Sequence, residues 1–263
     1  MRIDQLLANT YSRKDMKRAL AKGQILVDGK PSKSLAQNVD TDLQEVTIEG
    51  KPAPSTNHHY WLLHKPRGVV TANQDRHHAT VFDSLARSDW NPDLYAVGRL
   101  DRDTSGLLLL TDNGPLGYQL LHPDAHITKT YQVQVNGPLH ADLPDLFTTG
   151  IIFDDGYQCL PAKLTTQDSN LNQSQALISL AEGKFHQVKK MFLAVGVKVI
   201  SLKRIQFGPF QLDTSLPYGS YRGLTADEKT QLIQLLYSFS LSFITVLARL
   251  AVLQYCLRLA ALY

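Results

Sequence analysis

Apolar and polar positions exchange along this chain in short blocks, and beyond residue 57 the blocks predict strands more often than helices. "YWLLHKPRGVVT", 60–71, is an apolar strand interrupted by Lys65-Pro66-Arg67-Gly68. "KTYQVQV", 129–135, alternates with period two and predicts a strand with one buried face. "QALISLAEG" predicts another, ending at a Glu-Gly turn, and "VKVISLKRIQFGPF" a third. "KFHQVKKMFLAVG" has a helical rhythm: Val188, Met191, Phe192 and Val195 recur at i, i+3, i+4, i+7, and Gly196 closes it. "LLLLT", 107–111, has no polar alternation and predicts a strand buried on both faces. No internal repeat interrupts these blocks, and together they imply a mixed, mostly antiparallel α+β domain.

The first fifty residues are built differently. "SRKDMKRALAKG" predicts a helix from Ser12 to Lys22, with Ser12 as N-cap, Asp15 three residues on and Gly23 as the stop. Met16, Ala19 and Leu20 make its apolar stripe. On the remaining surface Arg13 lies over Lys17, and Lys14 over Arg18 over Lys22. Such like-charge pairs at i,i+4 each cost roughly 0.2–0.5 kcal/mol. A face of Arg13, Lys14, Lys17, Arg18 and Lys22 suits phosphates, whose counterions it would displace. "QILVDGK" predicts a strand and a tight Asp28-Gly29 turn, and "LQEVTIEGK" a second strand. This order, with "RIDQLL", "SRKDMKRAL" and "GQILVDGK" in it, resembles the S4 RNA-binding domain over residues 1–50. "GKPAPSTN" then reads as a linker, 51–57.

Composition narrows the picture. The chain has 263 residues, 43% hydrophobic and 19% charged, which fits one or two soluble globular domains. The formal charge is only +3, so the placement of cations says more than their excess. Two cysteines, Cys159 and Cys256, form neither a disulfide framework nor a metal-ligand spacing and fit a reducing compartment. The opening "MRIDQLLANTYSRK" lacks an apolar signal core, so a cytoplasmic location is expected. The nine histidines show no zinc spacing, and no glycine-rich phosphate loop or dinucleotide fingerprint is present.

"GRLDRDTSGLLLLT", 98–111, sets Arg99, Asp101, Arg102 and Asp103 directly before the buried leucines. Extended backbone over Val97–Asp101 would point Val97, Arg99 and Asp101 to one face. Asp-Thr-Ser-Gly then predicts a turn with its glycine at positive φ. An acid at the edge of a core needs a cationic partner to remain ionised. A loop ion pair is one reading and a catalytic carboxylate the other. The D-x-D of aspartyl-phosphate phosphatases fits poorly, because there the strand leads into the acids and here it follows them. A glycosidase pair needs carboxylates about 5 Å or more apart across the scissile bond, and nothing in this spacing argues for it.

The same stretch resembles the signature of the RsuA-type pseudouridine synthases. "LLHKPRGVV", "ITKTYQVQV", "AEGKFHQVKKM" and "VISLKRIQFGPF" follow in that family's order. With the S4-like segment in front, the resemblance covers residues 1 to about 232. It implies Asp101 as the catalytic aspartate, Tyr131 stacking on the target base and Lys189 pairing with the aspartate. It further implies Leu202 lining the pocket and Arg99 ordering the loop. The implied reaction breaks the N1–C1′ bond of a uridine, rotates the uracil and rejoins it through C5. Nothing is oxidised or hydrolysed, so neither cofactor nor metal is implied. The aspartate must be anionic, whether it attacks C1′ or removes the C2′ proton. The base must leave its stack, and Tyr131 would replace the lost stacking.

The implied partner is ribosomal RNA, within a partly assembled small subunit, met by a monomer. The short layout is most similar to the branch acting on small-subunit (16S) ribosomal RNA; the large-subunit branches share the motifs. A non-catalytic S4 ribosome-assembly protein is the alternative from another class, and the intact Asp101, Tyr131 and Lys189 argue against it. The implied domains are an S4 domain, 1–50, and a catalytic domain, 58–232. Relatives end soon after a stretch like "GLTADEKTQLIQLL", whereas here an apolar extension, 233–263, follows. Thr230 to Ala248 is charge-free and near the length of a membrane span, but its glutamines and hydroxyls argue against one.

Overall fold

A computed structural model of the protein describes residues 1–235. The chain divides into two units, Met1–Asn57 with the chain from Thr225, and His58–Leu224. The apolar extension from 236 onward lies outside the described residues.

In the first unit, α1 (Ile3–Leu6) and α2 (Arg13–Ala21) precede β1 (Ile25–Val27), β2 (Lys30–Pro31), β3 (Val46–Ile48) and β4 (Lys51–Pro52). The strands form an antiparallel sheet in the order β2-β1-β3-β4. Ser12 caps α2, its Oγ accepting from the Asp15 amide at 3.2 Å. That bond satisfies one of the amide donors that a helix start leaves open. Met16 and Ala19 turn inward onto a core that includes Ile3, Leu7, Ile25 and Ile48. Arg13, Lys14, Lys17, Arg18 and Lys22 are all exposed. Arg18 is also paired with Asp15 at 2.9 Å, which offsets part of the repulsion along this face. Asp28 and Gly29 take φ of 49° and 74°, the conformation a two-residue hairpin turn requires.

Part of the expected linker is built into this unit. Lys51–Pro52 pair with β3, and the buried Thr56 hydroxyl donates to Asp40 Oδ1 at 2.8 Å. A helix over 226–235 belongs to this unit as well. Its start is capped reciprocally: the Glu228 amide donates to Thr225 Oγ1 at 3.2 Å and the Thr225 amide to Glu228 Oε2 at 2.8 Å. The 232/233 boundary expected from the sequence falls inside that helix.

The second unit is built on β5 (Tyr60–Lys65), β6 (Tyr95–Ala96), β7 (Ser105–Thr111), α3 (Gly114–Leu121), β8 (Lys129–Val135), α4 (Leu143–Thr149), β9 (Ala162–Ser169), β10 (Ser174–Leu180), α5 (Gln187–Ala194), β11 (Val199–Phe207), β12 (Phe210–Gln211) and β13 (Tyr221–Gly223). Seven strands run in the order β13-β5-β7-β11-β8-β10-β9, with β6 on β7 and β12 on β11. Neighbours are antiparallel except β7 and β11. The sheet is thus mixed and mostly antiparallel. Every residue of β7 is buried. Val133, Val135, Ala176 and Ile178 on the sheet meet Phe147 of α4 and Val188, Met191 and Phe192 of α5 in one core. Among the described residues no helix is long and apolar enough to cross a membrane.

The parallel pair rests on a glycine. Gly106 has φ +114°, and a Cβ there would stand 2.2 Å from the carbonyl oxygen of Arg204. The expected turn therefore lies elsewhere. It spans Asp101–Thr104, closed by the Thr104 amide donating to Asp101 O at 3.0 Å, while Gly106 is already in the strand. Nor is Val97–Asp101 uniformly extended. Gly98, at φ +81°, breaks the alternation expected to put Val97, Arg99 and Asp101 on one face.

Candidate active site

Asp101 opens the turn that feeds β7, and three pieces of chain fix that turn. Lys65, at the end of β5, is fully buried, and its ammonium donates to four carbonyl oxygens: Pro66 (3.1 Å), Asp101 (3.0 Å), Arg102 (3.4 Å) and Thr104 (2.8 Å). The Gly68 amide donates to Arg102 O at 2.7 Å. Thr71 Oγ1 donates to Leu100 O at 2.9 Å. Pro66 ends β5 and lets the chain turn back over the loop. Burial pushes the Lys65 pKa down to about 8, against the pull of the Asp103 and Asp101 charges.

The Asp101 carboxylate faces the first turn of α5. Lys189 Nζ is 2.8 Å from Asp101 Oδ2 and 2.6 Å from Asp103 Oδ1. His186 Nε2 is 3.6 Å from the other Asp101 oxygen, Oδ1. His186 takes the left-handed conformation, φ 53°, just before α5, with its ring stacked 3.8 Å from Phe185. Burial opposes the charge on Lys189, but its bonds to Asp101 and Asp103 outweigh this and raise its pKa. Partial burial likewise opposes ionisation of Asp103, and the Lys189 bond outweighs it, lowering the Asp103 pKa. One ammonium therefore holds two carboxylates, and both sequence-singled acids are ion-paired.

Beside Asp101 a small cleft of about 90 Å³ is lined by Arg99, Thr104, Tyr131, Glu182, Lys189 and Leu202 among others. The residues singled out in the sequence from three strand and helix motifs thus meet at one place. Tyr131 comes from β8, Leu202 from β11 and Lys189 from α5. Arg99 differs from its expected role. Its side chain is exposed and makes no hydrogen bond or ion pair among the described residues; Lys65 and Thr71 order the loop instead. The five basic residues of α2 belong to the other unit.

Three participants do not announce themselves in the sequence. Lys65 reads as one more lysine before a proline, and its burial depends on β5 pairing with β7. His186 is visible as part of "KFHQV", but only the left-handed backbone before α5 turns it to Asp101. Arg204 is buried, donates from Nε to Leu107 O at 2.7 Å and lies across from Tyr131 in the β11/β8 register. Burial lowers its pKa, and the neighbouring Tyr131 phenol works against that. Its Nη2 is buried without a hydrogen-bond partner among the described residues. Strand alternation does place Arg204 on the Leu202 face, and that is the signal to follow. Among the described residues no cluster of potential metal ligands occurs.

A mixed sheet carries a lysine-paired aspartate next to a tyrosine-lined cleft, and comparison with known proteins gives this arrangement its class. The pattern of the RNA pseudouridylate synthase family matches residues 59–194. The chain is 40% identical to "Uncharacterized RNA pseudouridine synthase YtzG" of Bacillus subtilis, over 87% of this chain and 96% of that protein. It is 37% identical to "Ribosomal small subunit pseudouridine synthase A" of Pseudomonas aeruginosa and 34% identical to the Escherichia coli K12 protein of that name, each over 87% of this chain and 98% of the relative. A crystal structure of a pseudouridylate synthase superposes with a TM-score of 0.61 at 31% identity, covering 88% of this chain and 99% of that one. The chain belongs to the RNA pseudouridylate synthase family, and is accordingly an isomerase acting on RNA.

Proposed function

We propose that this enzyme converts a uridine of small-subunit (16S) ribosomal RNA to pseudouridine, with Asp101 as its catalytic carboxylate. The observation that carries the reading is the Asp101 carboxylate held at 2.8 Å by Lys189 at the edge of the Tyr131–Leu202 cleft. An anionic carboxylate serves either route, attack at C1′ or removal of the C2′ proton. Lys65 fixes the loop backbone, so the carboxylate is oriented before substrate arrives; preorganisation of this kind spares reorganisation in the reaction itself. Tyr131 supplies a stacking surface for the extruded uracil and Leu202 an apolar wall. The small-subunit assignment follows the names borne by several relatives.

Under this reading the first unit is an S4-type RNA-binding domain. Arg13, Lys14, Lys17, Arg18 and Lys22 on and beside α2 take phosphates of ribosomal RNA, in a partly assembled small subunit. The enzyme acts as a cytoplasmic monomer. Asp101→Asn tests the chemistry. Asn keeps the size and the loop hydrogen bonds but is neither nucleophile nor base. Pseudouridine formation in ribosomal RNA from cells lacking the gene should vanish while RNA affinity persists. An Asp101→Asn enzyme that still turns over would transfer the role to another carboxylate.

A further inference from the structure

We propose that an open groove on the sheet face opposite the Asp101 cleft binds a single-stranded RNA segment flanking the target uridine. Arg67 and Lys203 take its phosphates and Tyr218 stacks on a base. The proposal rests on the reading that the Asp101 cleft acts on a uridine in RNA. Strand alternation separates the two sites. Tyr131 and Leu202 line the Asp101 cleft, while their neighbours Gln132 and Lys203 line a groove of about 630 Å³.

The lining of the groove selects a polyanion. Arg67 and Lys203 supply two cations and Gln132, Gln134 and Gln175 three side-chain amides, and no aspartate or glutamate lines it. A carboxylate-free cationic groove tracks a nucleic-acid backbone, and glutamine amides can both donate to and accept from base edges. Tyr218 is 59% exposed, with the His64 ring 4.1 Å behind it and the Lys203 ammonium 5.2 Å from its centre. An exposed ring backed by another ring is a stacking platform open to any base. Arg67 bonds Ser201 across the groove. It also follows Lys65-Pro66 directly, in the turn whose Gly68 amide holds the Arg102 carbonyl. The groove therefore starts where the Asp101 loop is anchored, and a strand whose uridine enters the cleft continues past Arg67 into it.

The test uses the full chain and a labelled twelve-residue oligouridylate. Ultraviolet cross-linking with mapping to single residues should place adducts on Tyr218 and on Gln132 or Gln134. Arg67→Gln with Lys203→Gln should flatten the log–log salt dependence of binding by about 1.4, from about 0.7 for each single-strand phosphate no longer neutralised. Tyr218→Leu should weaken binding by about tenfold, and Asp101→Asn should change neither quantity. Adducts confined to Tyr131 or the first unit would overturn the proposal. So would an unchanged salt slope in variants whose melting temperatures match wild type. If the charge variants fail to fold, the wild-type adduct map decides alone. Failure of the underlying reading is separate: wild type would then form no pseudouridine in ribosomal RNA, whatever the groove binds.

Discussion

The ammonium of Lys65 donates to the main-chain carbonyl of Asp101 at 3.0 Å. One cation thus holds the Asp101 backbone, while a second, Lys189, holds its carboxylate at 2.8 Å. The two have different jobs, and substitution separates them.

Lys65→Met takes the ammonium from four carbonyl oxygens; Asp101 O and Arg102 O keep the Thr104 and Gly68 amides, but Pro66 O and Thr104 O lose this donor. Buried unsatisfied acceptors cost about 1–3 kcal/mol each, partly recovered by relaxation, so a net destabilisation of about 2–4 kcal/mol is expected. Activity should fall further than stability alone explains, because the carboxylate loses its fixed position. Thermal unfolding and single-turnover kinetics on the same preparation check this. A variant with wild-type stability and turnover would remove Lys65 from the site.

The low Lys65 pKa gives a pH signature. Its value of about 8 in the folded protein lies below the ordinary lysine value of 10.5. Between these values the unfolded chain binds more protons, so the Lys65 contribution to stability rises with pH over that window. Its donors, however, drop from three to two as it loses its proton. Activity should therefore decline through about pH 8 while this group does not weaken the fold. The pH–rate profile compared with melting temperature at each pH separates the two effects. An activity loss that tracks unfolding would refute it.

Lys189→Met should lower turnover by about 10²-fold, the scale of removing one preorganised charge from a reacting centre. Lys189→Arg should restore most of it, since a guanidinium can reach both carboxylates. RNA affinity should stay within a few-fold. Asp103→Asn removes only the exposed partner, which is 70% accessible at its side chain, so a loss of up to about tenfold is expected. Abolished activity in Asp103→Asn with Asp101→Asn still active would mean the two aspartates had been assigned the wrong way round.

Gly106→Ala should prevent correct folding. The added Cβ would lie 2.2 Å from Arg204 O, in a backbone conformation, φ +114°, that favours glycine. Relief requires β7 and β11 to move apart, breaking the only parallel pairing among the described strands. A loss of more than about 3 kcal/mol is expected, read as insoluble protein or a large drop in denaturant midpoint. Unaltered stability would show that the sheet can open there.

Changing Arg13, Lys17 and Arg18 to Gln should leave folding intact, since all three are exposed and off the Met16–Ala19 stripe. Affinity for structured ribosomal RNA should fall, and the log–log salt slope should drop by about 0.9 for each phosphate that the helix no longer neutralises. An identical slope would show that this face does not touch RNA.

The sequence by itself determined the elements whose signals lie within a few residues. The Ser12 cap, the Asp28-Gly29 hairpin turn, the 129–135 strand and the apolar stripe of α5 all arise from contacts or periodicities spanning about one turn or one pleat. It also brought Asp101, Tyr131, Lys189 and Leu202 forward as one set, through the order of their motifs. Only the tertiary structure decided what surrounds them. Lys65 becomes a loop clamp because β5 pairs with β7, and Arg204 is buried under Tyr131 because β11 runs parallel to β7 and antiparallel to β8. Gly106 is required for that same pairing and not for the turn its neighbours suggested. These roles depend on register between segments about 40 to 100 residues apart in the chain, and pairing energies of that kind leave no periodic mark on either partner.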